Sequence, residues 1–256
     1  MKILQVSYRA MILVSCLIFH IVWVVVPAIF RGRDLDHAFK TSQIWLGWML
    51  RKLGVRVDKK GSASQGNYIY VGNHRSYLDG ILAMADVRAL PVAKAELSNW
   101  PLIGYGAKLT GIMFVKRDSK KSRSAALEAI REALGMGFSV LVYPEGTTHL
   151  KPTTMDFRTG AFSLAAKEGF GIVPMAIEYK VESDAWVGDE TFVPHFVRCF
   201  GRKQTFVKIR YGQPIISNNV DFLVQKTKEW IDENMLAIRQ EFELEKTSEP
   251  VPALAE

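Results

Sequence analysis

The sequence predicts an α/β domain, a mixed, largely parallel sheet flanked by helices, preceded by an N-terminal membrane-embedded helical segment. Three observations carry this expectation. Short β-rich runs alternate with helical stretches through the middle of the chain, a pattern that builds sheets with helices on their faces. The stretch from Ala10 to Phe30 contains no Asp, Glu, Lys or Arg. The 256 residues are 48% hydrophobic and 23% charged, enough to bury one full core with a small appendage. The expected division is an anchor and interfacial helix over 1–56, the α/β domain over 57–245 and a flexible tail over 246–256.

The anchor comes first. "AMILVSCLIFHIVWVVVPAIF" (10–30) would form a helix roughly 30 Å long, near the hydrocarbon thickness of a bilayer. Val24, Val25 and Val26 leave no polar face for solvent, and no small-residue cleavage site follows, so the buried core helix of a soluble domain and a signal peptide both fit poorly. His20 in mid-segment and Pro27 near its end leave both a spanning helix and a hairpin or partial insertion open. Lys2 and Arg9 flank one end, Arg31 and Arg33 the other, so the positive-inside rule selects no orientation. The next segment places Phe39, Ile44, Trp45, Trp48, Met49 and Leu53 at helical spacing beside Lys40, Arg51 and Lys52. Tryptophans and basic residues on an amphipathic helix suit the lipid headgroup region; a core-facing helix shows the same spacing.

After the turn-like "DKKGSASQGN", the runs "YIYVG", "LPVAK", "IMFVK", "SVLVY" and "IVPMAIEY" read as strands. The helix "SKKSRSAALEAIREAL" carries an apolar stripe of Ala126, Leu127, Ile130 and Leu134 and stops at Gly135 or Gly137. "FVPHFVRCF" and "TFVKIRYGQPI" read as hairpin-type strands that would make the sheet mixed. A terminal helix is expected from about Asp221 to Leu244, followed by a frayed end.

Charge narrows the partners. A net charge of +7 points to an anionic partner, either nucleic acid or a membrane surface. No nucleic-acid recognition motif is present, and such a partner would leave the apolar N-terminus unexplained. Two cysteines, Cys16 and Cys199, are too few for a disulfide framework, and the five histidines and two cysteines form no metal-ligand pattern.

Three blocks carry candidate chemistry. In "VGNHRSYLDG" His74 follows a strand and precedes a helix starting near Tyr77, where rigid sheets commonly place reactive groups. A five-residue separation lets Asp79 reach the His74 ring, fix its tautomer and stabilise an imidazolium. The same residues would serve a loop in which Asn73 caps the helix and His74 and Asp79 are solvated. In "YPEGTTH", Gly146 allows close backbone approach to a ligand, while Glu145 can bind a polyol or orient the turn. "GIMFVKRD" ends a strand with Lys116 and Arg117, placed to meet a phosphate.

Together these blocks resemble the glycerolipid acyltransferases of the lysophosphatidic acid acyltransferase type, the PlsC-like superfamily. "NHRSYLD" is similar to its His-x4-Asp block at Asn73, His74, Ser76 and Asp79. "KAELSNWPLIGYGAKLTGIMFVKR" looks like its second region, at Lys94, Glu96, Leu97, Pro101, Gly104, Gly111, Phe114 and Arg117. "YPEGTTH" resembles the Phe-Pro-Glu-Gly-Thr-Arg-Ser block, and "IVPMAI" the fourth, over roughly residues 60–180 in all.

The resemblance implies a membrane-bound O-acyltransferase of phospholipid biosynthesis that moves a fatty acyl group from acyl-CoA or acyl carrier protein to a lysolipid hydroxyl. The acceptor expected first is 1-acylglycerol 3-phosphate. His74 would remove the hydroxyl proton, Asp79 would orient it, and no acyl-enzyme would form. Arg117, Glu145, Gly146 and Thr147 would help hold the glycerol phosphate. Backbone amides or Lys94 would serve a developing oxyanion. No cofactor is expected beyond the thioester co-substrate, and the partners are membrane lipids and the acyl donor. The expected setting is a bacterial inner membrane, with the catalytic domain on the cytoplasmic side. One departure matters: Thr148 stands where the family block has Arg, the residue suited to bidentate phosphate binding. Arg158 would replace that charge, as would Lys151 or His149; otherwise the acceptor is another lysolipid. A non-catalytic lipid-binding relative would not need the intact His74 and Asp79.

Overall fold

The computed structural model describes residues 2–32, 34–62, 64, 66–95, 98, 112–116 and 119–248. Helix α1 (Lys2–His20) runs through a widened turn at Ile21–Val25 into α2 (Val26–Arg31). Pro27 has no N–H for the carbonyl of Trp23 four residues earlier, and that carbonyl lies 2.9 Å from His37 Nε2 instead. Among the described residues, Lys2–Arg31 is long and apolar enough to cross a membrane. Its faces differ. Ile12, Cys16, Val24 and Val25 are buried against the domain, whereas Ile3, Leu4, Met11, Ile18 and Trp23 are exposed.

Helix α3 (Leu35–Lys52) starts at Asp34, whose side chain accepts the His37 amide at 2.9 Å. Its stripe is largely core-facing: Phe39, Met49, Leu50 and Leu53 are buried, and Trp45 and Trp48 pack against the core. Ile44 remains exposed. The tryptophans expected to face lipid headgroups are therefore used mainly to seat α3, with Trp45 against Phe19 of α1.

The sheet has seven strands: β1 (Val55–Lys60), β2 (Ile69–Gly72), β3 (Ala89–Lys94), β4 (Met113–Val115), β5 (Ser139–Val142), β6 (Ile172–Tyr179) and β7 (Thr205–Tyr211). Their order is β1-β7-β6-β2-β5-β3-β4. Every described pair is parallel except β6 with β7. The helices between strands are α4 (Tyr77–Met84), α5 (Lys120–Gly135), α6 (Gly160–Glu168) and α7 (Phe192–Phe200), and α8 (Val220–Ser248) closes the fold. Side chains alternate across the sheet. Tyr70, Leu141, Met175 and Ile209 meet α1, α3, α4 and α7 on one face. Ile69, Val71, Val140 and Ile172 meet α5, α6 and α8 on the other.

Two expectations change. "FVPHFVRCF" is helix α7, because His195, Phe196, Cys199 and Phe200 are buried at three- and four-residue spacing and Pro194 falls in the first turn, where its missing N–H costs nothing. β7 pairs antiparallel with β6, yet the chain reaches it through α7 rather than a hairpin turn. β1 is an added edge strand, where only Val55 is buried and the charged residues face solvent. The boundary expected at 56/57 falls inside β1, and the one at 245/246 falls inside α8.

Helix α1 is fastened to the domain by a buried charge. Arg9 donates to the carbonyls of Phe200 (2.8 Å), Lys203 (2.6 Å) and Arg202 at the end of α7. Gly54 at φ 81° leaves room for the guanidinium, since a Cβ there would overlap it.

Candidate active site

The central strands β2 and β5 are parallel neighbours, so their carboxyl ends lie side by side. This is where open α/β sheets bind ligands. The loop after β2 carries His74, and the loop after β5 carries Glu145, Gly146, Thr147 and Thr148.

After β2, Asn73 does not cap the helix. Its amide exchanges two 2.8 Å bonds with the backbone of Ile177 in β6, extending the sheet's order past the strand end. The cap is Ser76, and Asp79 completes a capping box with it. Fully buried, Asp79 accepts at Oδ2 from the Arg75 and Ser76 amides (2.6 and 2.8 Å) and at Oδ1 from the Tyr179 hydroxyl (2.7 Å). The same Oδ2 lies 2.8 Å from His74 Nδ1. Burial, then the Asp79 charge, holds the Tyr179 phenol well above its usual range, so it remains a donor. With His74 Nδ1 directed at Oδ2 of this carboxylate, Nε2 is left as the ring nitrogen not held by Asp79.

Glu145 is an organiser of the loops. Its side chain is fully buried, with Oε1 accepting the His74 amide (3.0 Å) and Oε2 accepting from Met155 N (2.8 Å) and from His149 Nε2. His149 Nδ1 in turn accepts the Lys151 amide at 3.1 Å, and burial lowers the His149 pKa, so the ring is neutral. Arg75, buried and paired with Glu178 at 2.6 Å, donates to the carbonyls of His149 (2.5 Å) and Lys151 (2.7 Å). These bonds lock the two loops together behind His74.

In front of His74 lies a cavity of about 890 Å³. His74, Tyr143, Gly146, Thr147, Thr148, Arg158 and Trp186 line it together with an apolar wall of Ile81, Met84, Val92, Ile112, Leu127 and Ile130. Gly146 adopts φ 73°, and a Cβ there would stand 3.1 Å from Arg158 Nε, so glycine lets the guanidinium lie over the turn. Thr148 spends its hydroxyl on the carbonyl of Trp186 at 2.5 Å.

The family model described as Acyltransferase matches residues 54–178. A lyso-ornithine lipid O-acyltransferase of Pseudomonas aeruginosa is 30% identical over 182 residues, covering 69% of this chain and 70% of that protein. This chain belongs to the acyltransferase family. The acyltransferase is also 36% identical over 111 residues to a 1-acyl-sn-glycerol-3-phosphate acyltransferase of Chlamydomonas reinhardtii, covering 43% of this chain but only 33% of the algal protein. Its fold matches the crystal structure of the 1-acyl-sn-glycerophosphate acyltransferase PlsC from Thermotoga maritima, with TM-score 0.70, 21% identity, and 93% and 96% of the two chains covered.

In the acyltransferase the expected residues fall into three groups. His74 and Asp79 touch, and His74, Gly146, Thr147 and Arg158 share one cavity. Glu145 sits behind that cavity, bonded to the loops. Lys94 ends β3 beside Val115 of β4, but its side chain, like Arg117, lies outside the described residues. Of the side chains expected to supply the charge missing at Thr148, Arg158 lines the cavity, whereas His149 is buried between Glu145 and Arg75. Arg75, Tyr179 and Trp186 were not anticipated. The available signal was Glu178, a single carboxylate in the otherwise apolar "IVPMAIEY", since a buried charge demands a partner.

Proposed function

We propose that this acyltransferase moves a fatty acyl group from a thioester, acyl-CoA or acyl carrier protein, to the free hydroxyl of a lysolipid at a membrane. The observation that carries this reading is the His74–Asp79 pair: Nδ1 is committed to the carboxylate while the ring lines a cavity with a long apolar wall. His74 Nε2 takes the hydroxyl proton, and the alkoxide attacks the thioester carbonyl. The tetrahedral centre then expels the thiolate, which recovers the proton from the imidazolium. Neither Cys16 nor Cys199 lines the cavity with His74, and Ser76 is committed to its helix cap, so direct transfer fits better than an acyl-enzyme. Lys94 and backbone amides are the proposed oxyanion donors. The apolar wall takes acyl chain, and the exposed face of Lys2–Arg31 inserts into lipid, on the cytoplasmic side of a bacterial inner membrane where acyl thioesters are found.

For the acceptor, Arg158 supplies a cation to an anionic headgroup, with Arg117, Gly146 and Thr147 beside it; 1-acylglycerol 3-phosphate fits first, giving phosphatidic acid. Thr148 favours a second reading. A neutral threonine with its hydroxyl bonded to Trp186 supplies no charge where the resembled block has arginine, and the Pseudomonas relative is named for a lyso-ornithine lipid acceptor. Purified protein in mixed micelles, given labelled acyl-CoA or acyl carrier protein and a panel of lysolipids, tests both. Transfer to the phosphate monoester at the highest kcat/KM supports the first reading, and preference for the aminolipid supports the second. No transfer to any lysolipid rejects the proposal.

A further inference from the structure

The imidazole of His74 has an aromatic ring against its face. Tyr143 stacks on it with ring centroids 4.4 Å apart and planes 15° from parallel. Resting on the acyl-transfer reading above, we infer that Tyr143 is a positioning residue for the reaction: its ring face fixes the plane of the imidazole and stabilises the imidazolium formed when His74 takes the acceptor's proton.

The chain is arranged to make this contact. Tyr143 is the first residue after β5 and is followed by Pro144, so its backbone leaves the strand in a restricted direction. On the neighbouring strand Gly72 provides the space, because a Cβ there would stand 3.1 Å from Tyr143 Cε1 and 2.8 Å from Met175 Cε. Asp79 thus meets the imidazole at its edge, in the plane, and Tyr143 meets it from the face. Both surfaces are negative, the first a carboxylate and the second a ring quadrupole, and both favour a positive ring. Neither occupies Nε2, the nitrogen that takes the proton.

The ring rather than the phenol makes the contact. The Tyr143 hydroxyl is buried and has no hydrogen-bond partner among the described residues. Burial and the nearby Asp79 charge hold it well above the usual phenol range, so it carries no charge of its own. Removing the hydroxyl therefore loses no described bond, while removing the ring's negative face removes the stabilisation.

The test replaces Tyr143 by Phe, by Leu and, through suppressed-codon incorporation, by pentafluorophenylalanine in the full-length protein. The fluorinated ring keeps the shape of Phe and withdraws its electron density. Phe is expected within about twofold of wild type in kcat, whereas the fluorinated ring and Leu each lower kcat about tenfold with acceptor KM little changed. Equal kcat for Phe and its fluorinated isostere overturns the inference, and that pair decides the matter even if Leu impairs folding. A wild-type protein inactive toward every lysolipid overturns the functional reading and this inference together. A flat series in an active enzyme overturns this inference alone.

Discussion

Asp79 Oδ2 lies 2.8 Å from His74 Nδ1 and accepts the amides of Arg75 and Ser76 as well. One oxygen thus orients the proposed base and helps cap the helix that carries it. Asp79→Asn keeps the shape but removes the charge, and is expected to lower kcat by about 10² or more. It also weakens the cap by about 1 kcal/mol. Kinetics beside thermal melting separates the two effects, and a kcat within a few-fold of wild type would remove Asp79 from the mechanism.

Arg158 lines the cavity beside His74, Gly146 and Thr147, as Arg123 does from α5. Arg158→Ala is expected to raise KM for a phosphate-monoester acceptor roughly tenfold while leaving KM for the acyl thioester within a few-fold. Steady-state kinetics with each substrate varied in turn is the check. An equal loss toward uncharged acceptors would show that Arg158 supports the turn and does not read the headgroup.

Arg75 and Glu178 form a buried ion pair at 2.6 Å. Burial pushes the Glu178 carboxyl up, while Arg75 and Arg239 pull it down. Removing Arg75 leaves the buried Glu178 to the longer 3.4 Å contact with Arg239, so Arg75→Met is expected to cost about 3 kcal/mol in denaturant unfolding. Arg75→Met combined with Glu178→Leu should recover most of that stability without recovering activity, because the carbonyls of His149 and Lys151 would still lack their donor.

Acid should destabilise the fold through two histidines. Burial is the first cause lowering the pKa of both His149 and His195. His195 Nε2 lies 3.1 Å from the Asp184 carbonyl and Nδ1 3.3 Å from the Tyr77 hydroxyl, a pattern that a neutral ring satisfies. As pH falls below about 6.5 the unfolded chain takes up protons that the fold refuses, so stability present at neutral pH is lost until the folded values are reached. Melting temperature is expected to drop between pH 7 and pH 5. The slope should flatten in His149→Gln; an unchanged slope would assign the acid loss to other groups.

Much of this architecture was legible because it rests on local pattern. The strand "SVLVY", the stripe of α5 and the stop at Gly137 are each decided within a few residues. His74 and Asp79 were legible for the same reason, being five positions apart on one strand-loop-helix unit. What escaped depends on distant partners. "FVPHFVRCF" has strong β-formers, and only its packing against α1 and the sheet shows that its buried residues follow a helical period. The stripe of α3 suits lipid and protein equally, and the position of α1 decides between them. The Arg75 guanidinium gains its place through His149, 74 positions away, and Glu178, 103 positions away, and Trp186 through Arg75 and Thr148, 111 and 38 positions away. No window of sequence contains both ends.

The buried Arg9 sets an order of events during synthesis. Its carbonyl partners lie 191 to 194 residues further along the chain. The ribosome therefore completes the apolar helix long before the end of α7 exists to receive it. At a synthesis rate of roughly 5–20 residues per second, that interval is on the order of ten seconds or longer. Through that time the helix lacks the domain surface that later buries Ile12 and Cys16, so its apolar residues must be covered by something other than the fold that finally receives them.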